Sequence, residues 1–107
     1  MHSLTRQEEQ ILLVIHHLSD TAYLVNIRAM LKEMTGRYFD VGTIYVPLKR
    51  LHQKGFLETH LGRPTAIRGG KAIKFYSLTA KGYEALAEVR RIQERLWEGV
   101  VLPALKI

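Results

Sequence analysis

Gly42, Thr43, Lys49 and Arg50 are the residues of this 107-residue chain whose types and spacing suit a chemistry, and that chemistry is the binding of a polyanion. At about 100° per residue along a helix, Ile44, Leu48 and Leu51 share one face. Gly42, Val46, Lys49 and Gln53 share the opposite face, flanked by Thr43 and Arg50 on one side and by Tyr45 and His52 on the other. The outer face is thus small at its N-terminal end and basic and polar beyond. Small residues let a backbone approach phosphates, and helix N-terminal amides favour anions. Lys49 and Arg50 suit phosphate neutralisation or the reading of guanine. Three more bases, Arg63, Arg68 and Lys71, stand among Gly62, Pro64, Gly69 and Gly70, on a segment able to reach an adjacent minor groove or backbone.

Other chemistries find few residues. The chain has no cysteine, which removes disulfides, thiolate metal sites and cysteine nucleophiles. His16 and His17 are adjacent on a helix and point different ways, and His52 and His60 have no ligand spacing. No Gly-x-Gly-x-x-Gly, phosphate-binding loop, paired carboxylates or serine triad stands out. We expect no enzyme, no metal and no cofactor. The net charge is +6, and its placement matters more than its size. From Arg37 to Lys81 nine bases face only Asp40 and Glu58, so the whole excess lies in one segment. Such asymmetry points to nucleic acid first and an anionic membrane surface second; a solvated basic face is the bland alternative. The longest apolar run, Ile11 to Ile15, is far too short to span a bilayer, and the N-terminus lacks a signal-peptide order. A cytoplasmic location and no membrane partner are expected.

The elements that position these residues follow from periodicity. A first helix is expected over residues 5–18, with Thr5 and Glu8 spaced as a capping box and Ile11, Leu12, Ile15 and Leu18 at helical spacing, widened by Leu13 and Val14. A second is expected over 23–34, with Ile27, Met30, Leu31 and Met34 as its buried stripe and Thr35-Gly36 as its stop. The third, over 41–54, carries the face described above and stops at Gly55; Pro47 predicts a kink or loosened turn within it. The period then changes from 3.6 to 2. Residues 56–61 and 73–78 read as strands, with Ile73, Phe75 and Ser77 on one face, joined by the basic connector 62–72. A last helix is expected from Thr79 to about 102, weakened or ended near Gly99 and Pro103. Ala85, Val89, Ile92 and Leu96 follow the 4-3-4 spacing of a packed seam, widened by Leu86, Trp97 and Val100. That is more apolar surface than a three-helix core covers, so pairing with a second copy is expected.

The order helix, helix, helix, strand, basic loop, strand, helix is mainly α with a small β-hairpin: a winged helix-turn-helix over residues 1–80 followed by a dimerisation helix over 81–107. The third helix fits a major groove and the hairpin is the wing. The expected partners are double-stranded DNA and a second copy of the chain. The alternative is a winged-helix module whose basic face docks an acidic protein.

Gly42-Thr43-Ile44-Tyr45, Leu48-Lys49-Arg50-Leu51 and Lys54-Gly55-Phe56-Leu57-Glu58 together resemble the winged-helix signature of the PadR family of bacterial transcriptional regulators. Tyr76-Ser77-Leu78-Thr79-Ala80-Lys81-Gly82 resembles the end of its wing and the start of its last helix, a segment shared with MarR-type regulators. The resemblance covers roughly residues 8–90. It implies a dimeric repressor on a near-palindromic operator, with the C-terminal helix as the dimer interface (Leu86, Val89, Ile92, Leu96, Trp97 and Val100 here). It assigns a DNA phosphate to Tyr45 and another to Tyr23, and the groove to Thr43 and Lys49. A half-buried structural aromatic is the competing reading of both tyrosines. Some family members respond to small aromatic or phenolic compounds, for which Trp97 is the candidate pocket wall; dimer packing is its competing role. Two positions depart from the family pattern: His52 stands where an acidic residue is common, and Ala22 where a glycine often precedes the tyrosine. The single short C-terminal helix resembles the smaller subgroup.

Overall fold

The computed structural model describes residues 4–62 and 72–104. Arg63, Arg68 and Lys71, the bases expected at the wing tip, lie outside the described residues. The elements are α1 (Arg6–Leu18), α2 (Leu24–Thr35), α3 (Val41–Gln53), β1 (Leu57–Leu61), β2 (Lys74–Leu78) and α4 (Ala80–Trp97), with a 3-10 turn at Ser19–Thr21 between α1 and α2. The strands form an antiparallel hairpin in the register Leu57↔Leu78 to Leu61↔Lys74. Beyond it, the Tyr76 amide donates to the Ala22 carbonyl at 2.8 Å and Tyr23 bridges Phe75, so the chain entering α2 forms a short third rung beside β2. Four helices and this hairpin make a winged helix-turn-helix.

One core joins the elements. Ile11, Leu12 and Ile15 of α1, Ile27 and Leu31 of α2, and Ile44, Leu48 and Leu51 of α3 are buried, with Phe56, Leu57 and Tyr76 from the hairpin and Ala85 from α4. Each such aliphatic side chain contributes about 1.5–3 kcal/mol on leaving water. Four details refine or correct the expectation. Met34 is 59% exposed. It sits in the last turn of α2, where the chain leaves the core for Gly36 in the left-handed region. Pro47 does not interrupt α3. Its ring shares the face of Ile44, Leu48 and Leu51 and is buried with them, so it serves the core. In the wing the core residue is Tyr76, on the face opposite Phe75. Finally, α4 ends at Trp97, five residues early, because Glu98 leaves helical geometry and Gly99 takes a positive φ. Val100 therefore lies beyond the helix.

Thr79, Lys81 and Gly82 clasp the hairpin to α4. The Thr79 hydroxyl donates to the Gly55 carbonyl at 2.6 Å and accepts from the Gly82 amide, capping α4. The Lys81 ammonium donates to the Lys54 carbonyl and lies over the Phe56 ring. A Cβ at position 82 would stand 2.3 Å from the Phe56 carbonyl oxygen, so only glycine permits this approach.

Glu8 is the one buried charged residue among those described. It completes the capping box of α1, accepting from the Thr5 amide while its own amide donates to the Thr5 hydroxyl. Its second carboxylate oxygen accepts from Arg50 Nε at 2.8 Å and lies 3.8 Å from Lys54 Nζ. Burial pushes this carboxyl up, but the Thr5 amide, the Arg50 hydrogen bond and the Lys54 and Arg50 charges outweigh it and hold it below its ordinary value. The resulting stability is present above the ordinary carboxylate range and is lost as pH falls through the lowered value. Glu8→Gln should cost about 1–3 kcal/mol at pH 7, measured by urea unfolding. The gap between the two chains should narrow as the pH is taken below about 4.

Candidate nucleic-acid interface

The surface of α3 is set by what the rest of the chain takes from it. Ile44, Leu48 and Leu51 are fully buried. One flank belongs to α1: Arg50, expected on DNA, is tied through Nε to Glu8, and Lys54 sits beside the same carboxylate. On the other flank Tyr45 and His52 are exposed; burial pushes the Tyr76 hydroxyl up, with a smaller contribution from nearby Tyr45. Gly42, Val46, Lys49 and Gln53 remain as an exposed stripe. Lys49 has no carboxylate partner among the described residues, where the ion pairs are those of Glu8 and the exposed Arg90–Glu94 pair.

The N-terminus of α3 is built by Asp40, whose carboxylate accepts from the Thr43 amide at 2.8 Å. Hydrogen bonds from the Thr43 side chain and then its amide, with the Arg28 charge, hold the Asp40 carboxyl below its ordinary value against a smaller effect of burial. Thr43, expected at the groove, is thus exposed but engaged with its own helix cap. Gly42 has no such duty. A Cβ there would meet nothing nearer than Asp40 Oδ1 at 3.8 Å, and its φ is not among the positive ones. Neither packing nor backbone conformation within the chain requires a glycine at this point.

Other expected contacts resolve differently. Tyr23 precedes α2, half-buried, with its ring edge-on to Phe75 at 5.5 Å. Its structural role is to join the start of α2 to the wing. The turn between α2 and α3 was not anticipated as a basic surface. There Arg28 donates from Nε to the Phe39 carbonyl and from Nη2 to the Tyr38 hydroxyl, and Arg37 lies over the Phe39 ring. Local sequence carries little signal for this, because the partners sit on different elements.

On α4, Ala85 joins the core and Leu86 packs against it, while Val89 is half-buried. Ile92 is exposed, as are Leu96 at 73% and Trp97 at 56%, and the apolar surface continues through Val100, Val101 and Leu102. Gln93, at helical phase between Val89 and Trp97, donates to Glu9 of α1 at 3.2 Å. Trp97 lines neither the cavity between α1, the wing and α4 nor the one beside Arg28 and Tyr38. No helix among those residues is long and apolar enough to cross a membrane, and no group of three histidine or carboxylate side chains there is placed to hold a metal ion.

Comparison with known proteins places this geometry. The family model described as the transcriptional regulator PadR-like family matches residues 11–88. A PadR-like transcription factor from Bacteroides fragilis is similar at 32% identity and a TM-score of 0.75, over 86% of this chain and 84% of that one. A PadR-like transcriptional regulator from Bacillus cereus strain ATCC 14579 is similar in fold at 24% identity and a TM-score of 0.71, over 86% and 84%. A PadR family transcription regulator from Clostridium difficile R20291 gives 24% and 0.66, over 85% and 88%. No curated protein matches the chain.

The free space at Gly42 makes a direct prediction about stability. Gly42→Ala should leave the fold intact and raise stability by a few tenths to about 1 kcal/mol, since alanine loses less backbone entropy in a helix. Thermal unfolding of the two chains checks it. A loss of stability would show that the glycine serves internal packing.

Proposed function

Because the chain belongs to the PadR-like family of transcriptional regulators, we propose that it acts as a repressor, a homodimer that sets α3 of each copy into successive major grooves of a near-palindromic operator. The observation that carries this reading is the exposed Gly42–Val46–Lys49–Gln53 stripe, left open beside a flank that Arg50 ties to Glu8 of α1. Gly42 lets the backbone at the start of α3 come close to phosphates, and Lys49 projects from the next turns toward base edges or backbone. Tyr45, exposed beside the stripe, is placed to donate to a phosphate. Arg50 contributes by fixing the angle of α3 through Glu8. Arg63, Arg68 and Lys71 supply charge for the wing, and Tyr23 supports the wing's base.

The dimer reading rests on the apolar strip at the end of the chain. Ile92, Leu96, Trp97 and Val100 are exposed, and Leu86 and Val89 continue the same side of α4 into the core. Two such strips packed together would bury surface that a single chain leaves in water. A pairing of this kind would also bring the two Trp97 rings near one another, which is where a small aromatic effector would find a wall.

Three measurements test the proposal. An electrophoretic shift with duplex from the chain's own upstream region should show specific retention at moderate salt. If six to ten phosphates are contacted, affinity should fall ~10³–10⁵-fold between 50 and 200 mM salt. Failure to retain any specific duplex would transfer the basic face to an acidic protein partner. Lys49→Ala should weaken operator binding by about tenfold with an unchanged melting temperature; unchanged affinity would remove Lys49 from the site. Leu96→Glu should convert the dimer to a monomer in sedimentation analysis, and a variant that stays dimeric would move the interface elsewhere.

A further inference from the structure

A cavity of about 370 Å³ opens where the end of α1, both wing strands and the first turn of α4 converge. Its volume falls in the range of small-molecule sites, ~300–1,000 Å³. It is separate from the α3 stripe and from Trp97. Ile15 and Leu78 give it an apolar floor, and Tyr83 and His60 stand at its sides. The rings are held in place. His16 Nδ1 lies 3.0 Å from the Tyr83 hydroxyl, and His60 stacks on Phe75 at 5.5 Å.

Ser19 and Asp20 stand on the rim, Ser19 also ending α1 with its amide donating to the His16 and Ile15 carbonyls. Ser19 has φ 55° and ψ −123°, and it is the only non-glycine residue with positive φ among those described. Glycine would take this conformation with little strain; serine takes it with strain and places its residue on the cavity wall. Asp20 follows. Its carboxylate has no ion pair and no hydrogen bond among the described residues, and no lysine or arginine lines the cavity. In a chain of net charge +6, Asp20 is thus the one carboxylate lining this recess, beside the imidazoles of His16 and His60. The carbonyl end of α1 adds to the negative potential.

The geometry points to a binding site for a small organic cation: a protonated amine on a flat apolar body. The ammonium meets Asp20 at the carbonyl end of α1. The body lies over Leu78 and Ile15 against the electron-rich face of Tyr83, where a cation is also attracted. The inference does not depend on DNA binding, because the cavity shares none of its residues with the α3 stripe.

The test is an amide NMR titration of the full chain with tryptamine, set against indole-3-propionate, which carries a carboxylate in place of the amine. Tryptamine should shift the amides of Ser19, Asp20, His60 and Tyr83 saturably, with the acid at least tenfold weaker. Asp20→Asn should weaken tryptamine by tenfold or more with little change in melting temperature. Ser19→Gly should raise the melting temperature by relieving the positive φ. Equal binding of amine and acid, an undiminished affinity in Asp20→Asn, or shifts centred on residues 96–102 would each overturn the proposal.

Discussion

The carboxylate of Glu8 is the constraint on which the molecule's working surface depends. One oxygen closes the first turn of α1 by accepting from the Thr5 amide, and the other receives Arg50 from α3. A buried carboxylate needs partners for its lone pairs, and an unpaired one is costly. Satisfying Glu8 therefore fixes the start of α1 against the C-terminal half of α3. With Ile44, Leu48 and Leu51 buried on the adjoining face, rotation of α3 about its axis would either expose those side chains or strand the charge. Shape and charge thus select the same orientation by independent routes.

This arrangement separates two uses of basic residues that composition alone cannot distinguish. Arg50, through Nε, and Lys54 pair with an internal anion while staying partly exposed, and Lys81 meets the Lys54 carbonyl and the Phe56 ring. Lys49, one residue from Arg50, has no carboxylate partner. A step of about 100° along the helix is enough to move a base from scaffold to surface. The +6 net charge therefore overstates the number of bases free to meet a polyanion. On the α1 side, the exposed stripe of α3 is bordered by the Arg50–Glu8 pair.

Much of this was legible from local pattern. The capping box at Thr5 and Glu8, the burial phase of α3 and the change to a two-residue period after Gly55 all depend on neighbours within one turn or one strand, and the structure realises each. The parts that were not legible depend on distant partners. Arg50 and Glu8 are 42 residues apart. Met34 fits the α2 stripe by phase but sits where that helix outruns the core, and Pro47, expected only to kink or loosen α3, has its ring among the buried residues. Tyr23 is a further case: its ring meets Phe75 across the fold, a contact that local sequence does not signal. The site residues on the wing connector fall outside the described residues, so for them sequence remains the only guide.

The clasp at Thr79, Lys81 and Gly82 has a consequence for distances far from itself. Because the Gly82 backbone is pressed against the Phe56 carbonyl with no room for a side chain, the joint between the hairpin and α4 has almost no play. An 18-residue helix extends about 27 Å from that joint, so it behaves as a stiff lever whose bearing angle is set by a single missing methyl group. A few degrees of tilt at the bearing would sweep the far tip through more than an ångström. Two levers joined at their tips would therefore hold their heads at a fixed gauge, and a change of one small residue at the pivot would alter that gauge without touching either end.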